Sequence, residues 1–275
     1  IEHNMNIGNR FLMARVSLAA LRETIARIER AGVSLAEENK KVPLGHDGAD
    51  QALLGGILPG ALHEIYAEER DVVSASAFAA MLSLRVSNER KFLLWVRQDF
   101  TSQLCGQLSA QGLHDLGVDP NRLLLVQTRS ANEALRAASD SLSCKALGAI
   151  VLEVRKQPKA LDLVASRKFT LRAGASRVTL FLIRIAAPEI MPSTAETRWF
   201  VRAERTPDFV EDWGNPLFAA TLARNRHGQT GAWAMEWSCD ARVFREVPQN
   251  SRPRIPYARV GSHQAKSQAP WRDVG

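Results

Sequence analysis

The sequence predicts an α/β fold: a mostly parallel central sheet flanked by helices, with an N-terminal helix and a C-terminal β-hairpin. Three observations carry this. Short apolar runs recur across residues 62–185, separated by segments of about 10–15 residues with helical periodicity, the spacing of parallel strands joined by right-handed crossovers. After Pro188 that alternation stops, and two strand-like runs flank a polar, glycine-containing loop over 225–231. At 275 residues the chain is long enough to bury a full α/β core.

Phe11–Ala31 reads as a helix closed by Gly32, with Leu18, Leu21, Ile25 and Ile28 at alternating spacings of three and four. So narrow a stripe suits a partner helix or groove, which makes these four the candidate partner-binding residues; packing on its own domain is the other reading. Glu37–Lys41 reads as a polar linker. Leu62–Tyr66 is the first strand, followed by a helix in which Ala75, Phe78, Ala79 and Leu82 share a face. Phe92–Val96 is the second strand. One helical stretch through Leu104, Leu108 and Leu113 follows, ending near Gly117–Pro120. Leu123–Gln127 is a strand, Asn132–Leu142 a helix, Ala149–Val154 a strand, 159–173 a helix and Val178–Ile185 a strand. Pro188–Glu196 is a loop, Trp199–Ala203 a short strand and Thr206–Pro216 irregular. Ala219–Arg224 and Ala232–Trp237 form the hairpin around its basic loop. From Pro248 the chain carries five Lys/Arg and one acid with almost no apolar periodicity, the composition of a tail that orders on binding. The expected organisation is 1–41 helix and linker, 42–247 core with hairpin, and 248–275 basic tail. The chain opens on Ile1, with Met5 or Met13 as possible starts and Ile1–Asn4 as upstream sequence.

Composition and motifs exclude several classes. The apolar runs at Ala149–Leu152 and Leu180–Ile183 are too short to span a bilayer, and the first residues lack the pattern of a signal peptide. Cys105, Cys144 and Cys239 are three, widely spaced and without C-x-x-C pairing, which favours a reducing cytoplasm over a disulfide frame or structural zinc. His63-Glu64 lacks a second histidine at metalloprotease spacing, and no G-x-S-x-G occurs. The net charge of +7 is uneven: residues 1–153 hold 16 Lys/Arg against 18 Asp/Glu, and residues 154–275 hold 20 against 11. A basic excess confined to one part suits a nucleic-acid or acidic partner, or a solvated basic surface.

The segment Val42-Pro-Leu-Gly45, Asp47-Gly-Ala-Asp50 and Leu54–Tyr66, with Gly112–Val126 and Ala149–Val154 in that order, resembles the core of RecA-type ATPases. In those proteins G-x-x-x-x-G-K-[ST] follows the first of these strands. Its glycines let backbone N–H groups wrap phosphates, its lysine meets the outer phosphates, and its hydroxyl meets Mg²⁺. Here the chain has no glycine between Ala67 and Gly106 and no lysine between Lys41 and Lys91. The lysine place falls near Ala75 and the hydroxyl place near Ser76, in a loop about two residues longer that carries Glu68, Glu69 and Asp71 against Arg70. By the same resemblance Glu153 stands at the metal-side acid, and Gln98 stands closest to the water-polarising glutamate, where it cannot act as a base. Asp99 reads as a helix-capping residue. The expectation is a RecA-like core with no catalytic residues and no cofactor.

More closely, the chain resembles the ImuA (inducible mutagenesis) family, a RecA-like family without an intact Walker A motif. The matching text is Leu58–Ile65, Leu93–Val96, Leu161–Lys168, Ser193–Trp199 and Arg224–Trp237, and the likeness covers residues 10–245. The glycine-poor 68–76 loop and the tail depart from it. The resemblance implies an accessory factor of DNA-damage-induced (SOS) translesion synthesis and mutagenesis. Its implied partners are ImuB, the error-prone polymerase subunit ImuC and RecA, near single-stranded or primer–template DNA, with no membrane. Candidate DNA contacts are Arg167, Lys168 and Arg172 on the 159–173 helix, where Lys168 and Arg172 share a face. Arg198 follows by position in a DNA-facing loop, and Arg224 and Arg226 lie in the hairpin beside Trp233 and Trp237. Solvated helix charges and tryptophans packed at a sheet edge are the plainer readings. A division inhibitor of the SulA kind and a weak RecA-type ATPase stay open as alternatives.

Overall fold

The computed structural model describes residues 40–87, 91–187, 191–204 and 215–247. The expected N-terminal helix with Leu18, Leu21, Ile25 and Ile28, and the expected tail after 247, fall outside the described residues.

The described strands are β1 (Leu62–Ala67), β2 (Phe92–Gln98), β3 (Leu123–Thr128), β4 (Leu147–Arg155), β5 (Thr179–Ile185), β6 (Thr197–Ala203), β7 (Leu217–Asn225), β8 (Gly231–Ser238) and β9 (Val243–Glu246). They form one sheet in the order β3-β2-β4-β5-β1-β6-β7-β8-β9. Neighbours from β3 through β6 run parallel, and β6 through β9 run antiparallel. The helices are α1 (Asp47–Ala52), α2 (Val72–Val86), α3 (Asp99–Cys105), α4 (Ala110–Asp115), α5 (Ala131–Ser141) and α6 (Leu163–Ser176). None of the described helices is long and apolar enough to cross a membrane.

The central strands are apolar on both sides because both sides are covered. Side chains alternate across the sheet, so Ile65, Trp95, Val151, Phe181, Ile183 and Trp199 pack on the α2 side. Leu62, Val96, Ile150, Leu152, Leu180 and Leu182 pack on the α5/α6 side. Ala75, Phe78, Ala79 and Leu82 are buried as the periodicity predicts, but Val72, Ser76, Ala80, Met81 and Ser83 are buried too, so α2 is enclosed almost all round. Phe78 sits at the centre of this layer, its ring centroid 5.6 Å from Trp199 and Phe218 and 5.2 Å from Phe244.

Three elements depart from the sequence expectation. The stretch through Leu108 and Leu113 is two helices: Gly106 ends α3 at φ +79°, where glycine has no steric cost, and Ser109 caps α4 by accepting from Gly112 N. The 159–173 helix starts later, at Leu163, because Asp162 caps it by accepting from Ala165 N; it ends in left-handed Arg177. A fourth antiparallel strand, β9 on β8, extends the hairpin.

Gly56 shows how tightly the entry to the core is set. Its φ is +121°, and a Cβ there would lie 2.0 Å from the Val42 carbonyl oxygen. Val42 and Ile57 exchange two backbone hydrogen bonds of 2.8 and 2.9 Å across this point. Gly56→Ala is expected to cost about 2–3 kcal/mol through strain and the opened bridge, read as a lower urea midpoint at unchanged slope. Gly55→Ala is the control: its φ is +103°, but nothing lies within 4 Å of its Cβ position, so strain acts there without the clash.

Candidate functional site

In parallel α/β sheets ligands bind beyond the carboxyl ends of the strands, so the ends of β1, β2 and β4 are the place to look. The connection from β1 to α2 is a single 3₁₀ turn, Glu69–Asp71. Glu68 pairs with Arg70 at 2.9 Å, Glu69 accepts from Arg155 Nε at 2.8 Å, and buried Asp71 accepts from Ala203 N at 3.3 Å.

Beneath it the period-2 alternation of β2 and β4 sends Trp95, Arg97 and Glu153 to the α2 side, where the first turns of α2 present Ser76. Glu153 accepts from Trp95 Nε1 at 2.8 Å and Ser76 Oγ at 3.1 Å on one oxygen, and from Arg97 Nε at 3.2 Å on the other. Glu153 and Arg97 are 0% and 1% exposed. Arg97 donates onward to the Gly106 carbonyl at 3.2 Å and the Cys105 Sγ at 3.3 Å. Burial pushes the Glu153 carboxyl above the usual carboxylate range, while Arg97 and the hydrogen bonds from Trp95 and Ser76 pull it back. The hydroxyl place and the acid place therefore meet, joined by a direct hydrogen bond, with a guanidinium filling the remaining coordination of the acid. Gln98 Oε1 accepts from Arg155 N at 3.2 Å and ties β2 to β4. Asp99 opens α3 as its first residue, and Gln98 holds the cap position without a side-chain cap bond.

A second buried cluster lies on the opposite face of the sheet. Glu64 of β1 pairs with Arg198 of β6 at 2.8 Å and with Arg184 of β5 at 3.7 Å, and all three are at most 5% exposed. The Tyr66 ring lies under both guanidinium groups, 5.6 and 5.9 Å from its centroid. Arg184 also donates to Gln157.

This corrects one expected DNA contact. Arg198 does not face solvent; it is spent on Glu64 and the Met191 carbonyl, 2.8 Å away. Position in the chain points to a DNA-facing loop, but the strand's alternation turns this side chain inward. Arg224 is half-buried and donates to the Ser193 carbonyl at 2.9 Å, so it too holds the 191–196 segment in place. Arg172 clamps α6 to α5 through the Ser139 carbonyl at 2.6 Å, the Ser139 hydroxyl at 2.8 Å and Asp140 at 3.6 Å. Arg167, Lys168 and Arg226 are exposed. Trp237 is buried and donates to the Leu116 carbonyl at 3.1 Å, while Trp233 packs near Trp199 and His46; both serve the edge of the sheet. The residue that sequence reasoning missed is Arg97. A cation closing one apolar strand beside an acid closing another was the available signal, because buried charges need partners.

Neither a protein-family model nor a curated protein matches the chain. Among solved structures, the crystal structure of the RadB recombinase superposes with a TM-score of 0.51, covering 75% of this chain and 100% of that chain at 15% sequence identity. The fold is a RecA-like α/β core.

Proposed function

We propose that this chain is a non-enzymatic accessory protein of DNA-damage-induced translesion synthesis that uses a RecA-like core for binding rather than for ATP turnover. Its partners in this reading are ImuB, the error-prone polymerase subunit ImuC and RecA, close to single-stranded or primer–template DNA. The observation that carries it is the buried ion pair of Arg97 with Glu153, the residue that the resemblance sets at the metal-side acid. A triphosphate entering there would have to expel a fully buried cation and leave its partner charge unpaired, a cost of about 3–5 kcal/mol before any contact is made. The glutamates of the 68–71 turn would add repulsion.

The exposed face of α6 supports a binding role. Leu163, Val164 and Leu171 are 50–75% exposed on the helix that also exposes Arg167 and Lys168. Apolar and basic residues mixed on one face suit contacts with protein and with phosphate.

Phosphate release from Mg-ATP, with and without single-stranded DNA, is expected to stay at background; turnover that vanishes in Glu153→Gln would overturn the non-enzymatic reading. In pull-downs the chain is expected to retain at least one of ImuB, ImuC and RecA, and loss of all three rejects the adaptor role. Arg167→Glu with Lys168→Glu is expected to weaken single-strand DNA binding by about tenfold at low salt and to make the salt dependence shallower, since fewer phosphates are then neutralised. Unchanged binding would remove α6 as the DNA face.

A further inference from the structure

A cavity of about 520 Å³ opens at the amino ends of β2 and β3, between the end of α2 and the β8–β9 turn. Among the described residues, four cations line it, Arg85, Lys91, Arg122 and Arg242, against one acid, Asp119. That acid is already engaged: it accepts from Asn121 N at 2.9 Å and lies 3.7 Å from Arg122. Arg85 is fixed by the Pro43 carbonyl at 2.7 Å and the Arg242 carbonyl at 3.0 Å, which holds its charge at the wall. The carboxyl end of α2 contributes a partial charge of about −0.5, which offsets only a small part of the formal excess.

We propose that this cavity binds a phosphate-bearing anion of nucleotide size. The volume is in the range of small-molecule sites, about 300–1,000 Å³. A concentration of cations in a walled space raises the local potential for an anion. The place is distinct from Glu153: Leu93 lines the cavity and Arg97 holds Glu153, four steps further along β2, roughly 13 Å away. Binding here therefore needs neither magnesium nor turnover, and its outcome does not bear on the adaptor role.

The phosphate has two natural sources, a free nucleotide or the phosphorylated end of a strand. The test is calorimetry in magnesium-free buffer with inorganic pyrophosphate, ADP, and a short single strand carrying either a 5′-phosphate or a 5′-hydroxyl. Saturable binding of pyrophosphate is expected, with an affinity lowered about tenfold or more in Lys91→Glu/Arg122→Gln and unchanged in Lys159→Glu, a surface control. ADP binding identifies a free nucleotide; preference for the 5′-phosphate strand over its hydroxyl twin, without ADP binding, identifies a strand end. Failure of every phosphate probe to saturate, or equal affinity in the double variant, overturns the proposal. Should that variant not fold, Lys91→Gln removes one of these charges and keeps most of the side-chain stem, and unchanged pyrophosphate affinity in it overturns the proposal.

Discussion

Arg97→Ala is expected to destabilise the protein by about 3–5 kcal/mol, more than any exposed arginine substitution, because it leaves Glu153 charged or forces it to take a proton in a fully buried site. The pair itself is not thereby a source of stability. Taking both groups out of water costs several kcal/mol per ion, offset by the direct bond, those from Trp95 and Ser76 to Glu153, and those from Arg97 to Gly106 and Cys105. A double replacement by Leu of Arg97 and Glu153 is therefore expected to recover most of the single-variant loss. Denaturant unfolding of wild type, Arg97→Leu, Glu153→Leu and the double leucine variant closes the cycle, with Arg97→Ala measured beside it. If Arg97→Ala costs no more than exposed Arg245→Ala, the ion pair does not hold this end of the sheet. If the double variant is as unstable as the single one, the pair contributes more than mutual neutralisation. The same series bears on function, since a plug kept only for packing leaves partner binding intact in the double variant.

The strands of the core are readable because a parallel strand covered on both faces is a continuous apolar run, and Phe92–Val96, Ala149–Val154 and Val178–Ile185 have no other use in a chain of this composition. The hairpin is readable from its loop. What cannot be read depends on distant partners. The four residues of β9 carry no signal of their own and exist as a strand because Trp237 and Phe244 pack at 5.0 Å when β8 and β9 pair. α1 is six residues long and is fixed by Asp50, which accepts from Leu44 N and Gly45 N, a local turn network rather than a periodicity. At the candidate site, Glu153 and Ser76 are legible as positions along the chain, but their occupant is not, since Arg97 enters from a neighbouring strand. Arg198 is misplaced for the converse reason: its position along the chain is clear, but not which face of β6 it occupies.

Acid is expected to destabilise the fold through His63 before the surface carboxylates dominate. The ring is fully buried, stacked 5.5 Å from Phe181, with Nε2 donating to the Leu58 carbonyl at 2.8 Å. That donation leaves Nδ1 as the acceptor of the Thr197 hydroxyl at 2.8 Å, and the Trp199 indole donates to the same hydroxyl oxygen at 3.0 Å. The chain of bonds has room for one proton on the ring, and protonating Nδ1 would set two donors against each other in a dry site. Burial accordingly pushes the His63 pKa down from 6.5 to about 4, against a smaller opposing pull from the Leu58 carbonyl. The unfolded chain then binds one more proton than the folded one between these two values, so stability falls as pH falls through that window. The full shift corresponds to about 3 kcal/mol, complete near pH 4, where carboxylates begin to add their own terms. His63→Gln, which keeps an amide donor for the Leu58 carbonyl, is expected to start less stable at pH 7.5 but to lose little between pH 6.5 and 5. Unfolding free energies measured at half-unit steps across that range decide it. Parallel curves for the two proteins would assign the acid sensitivity to another group.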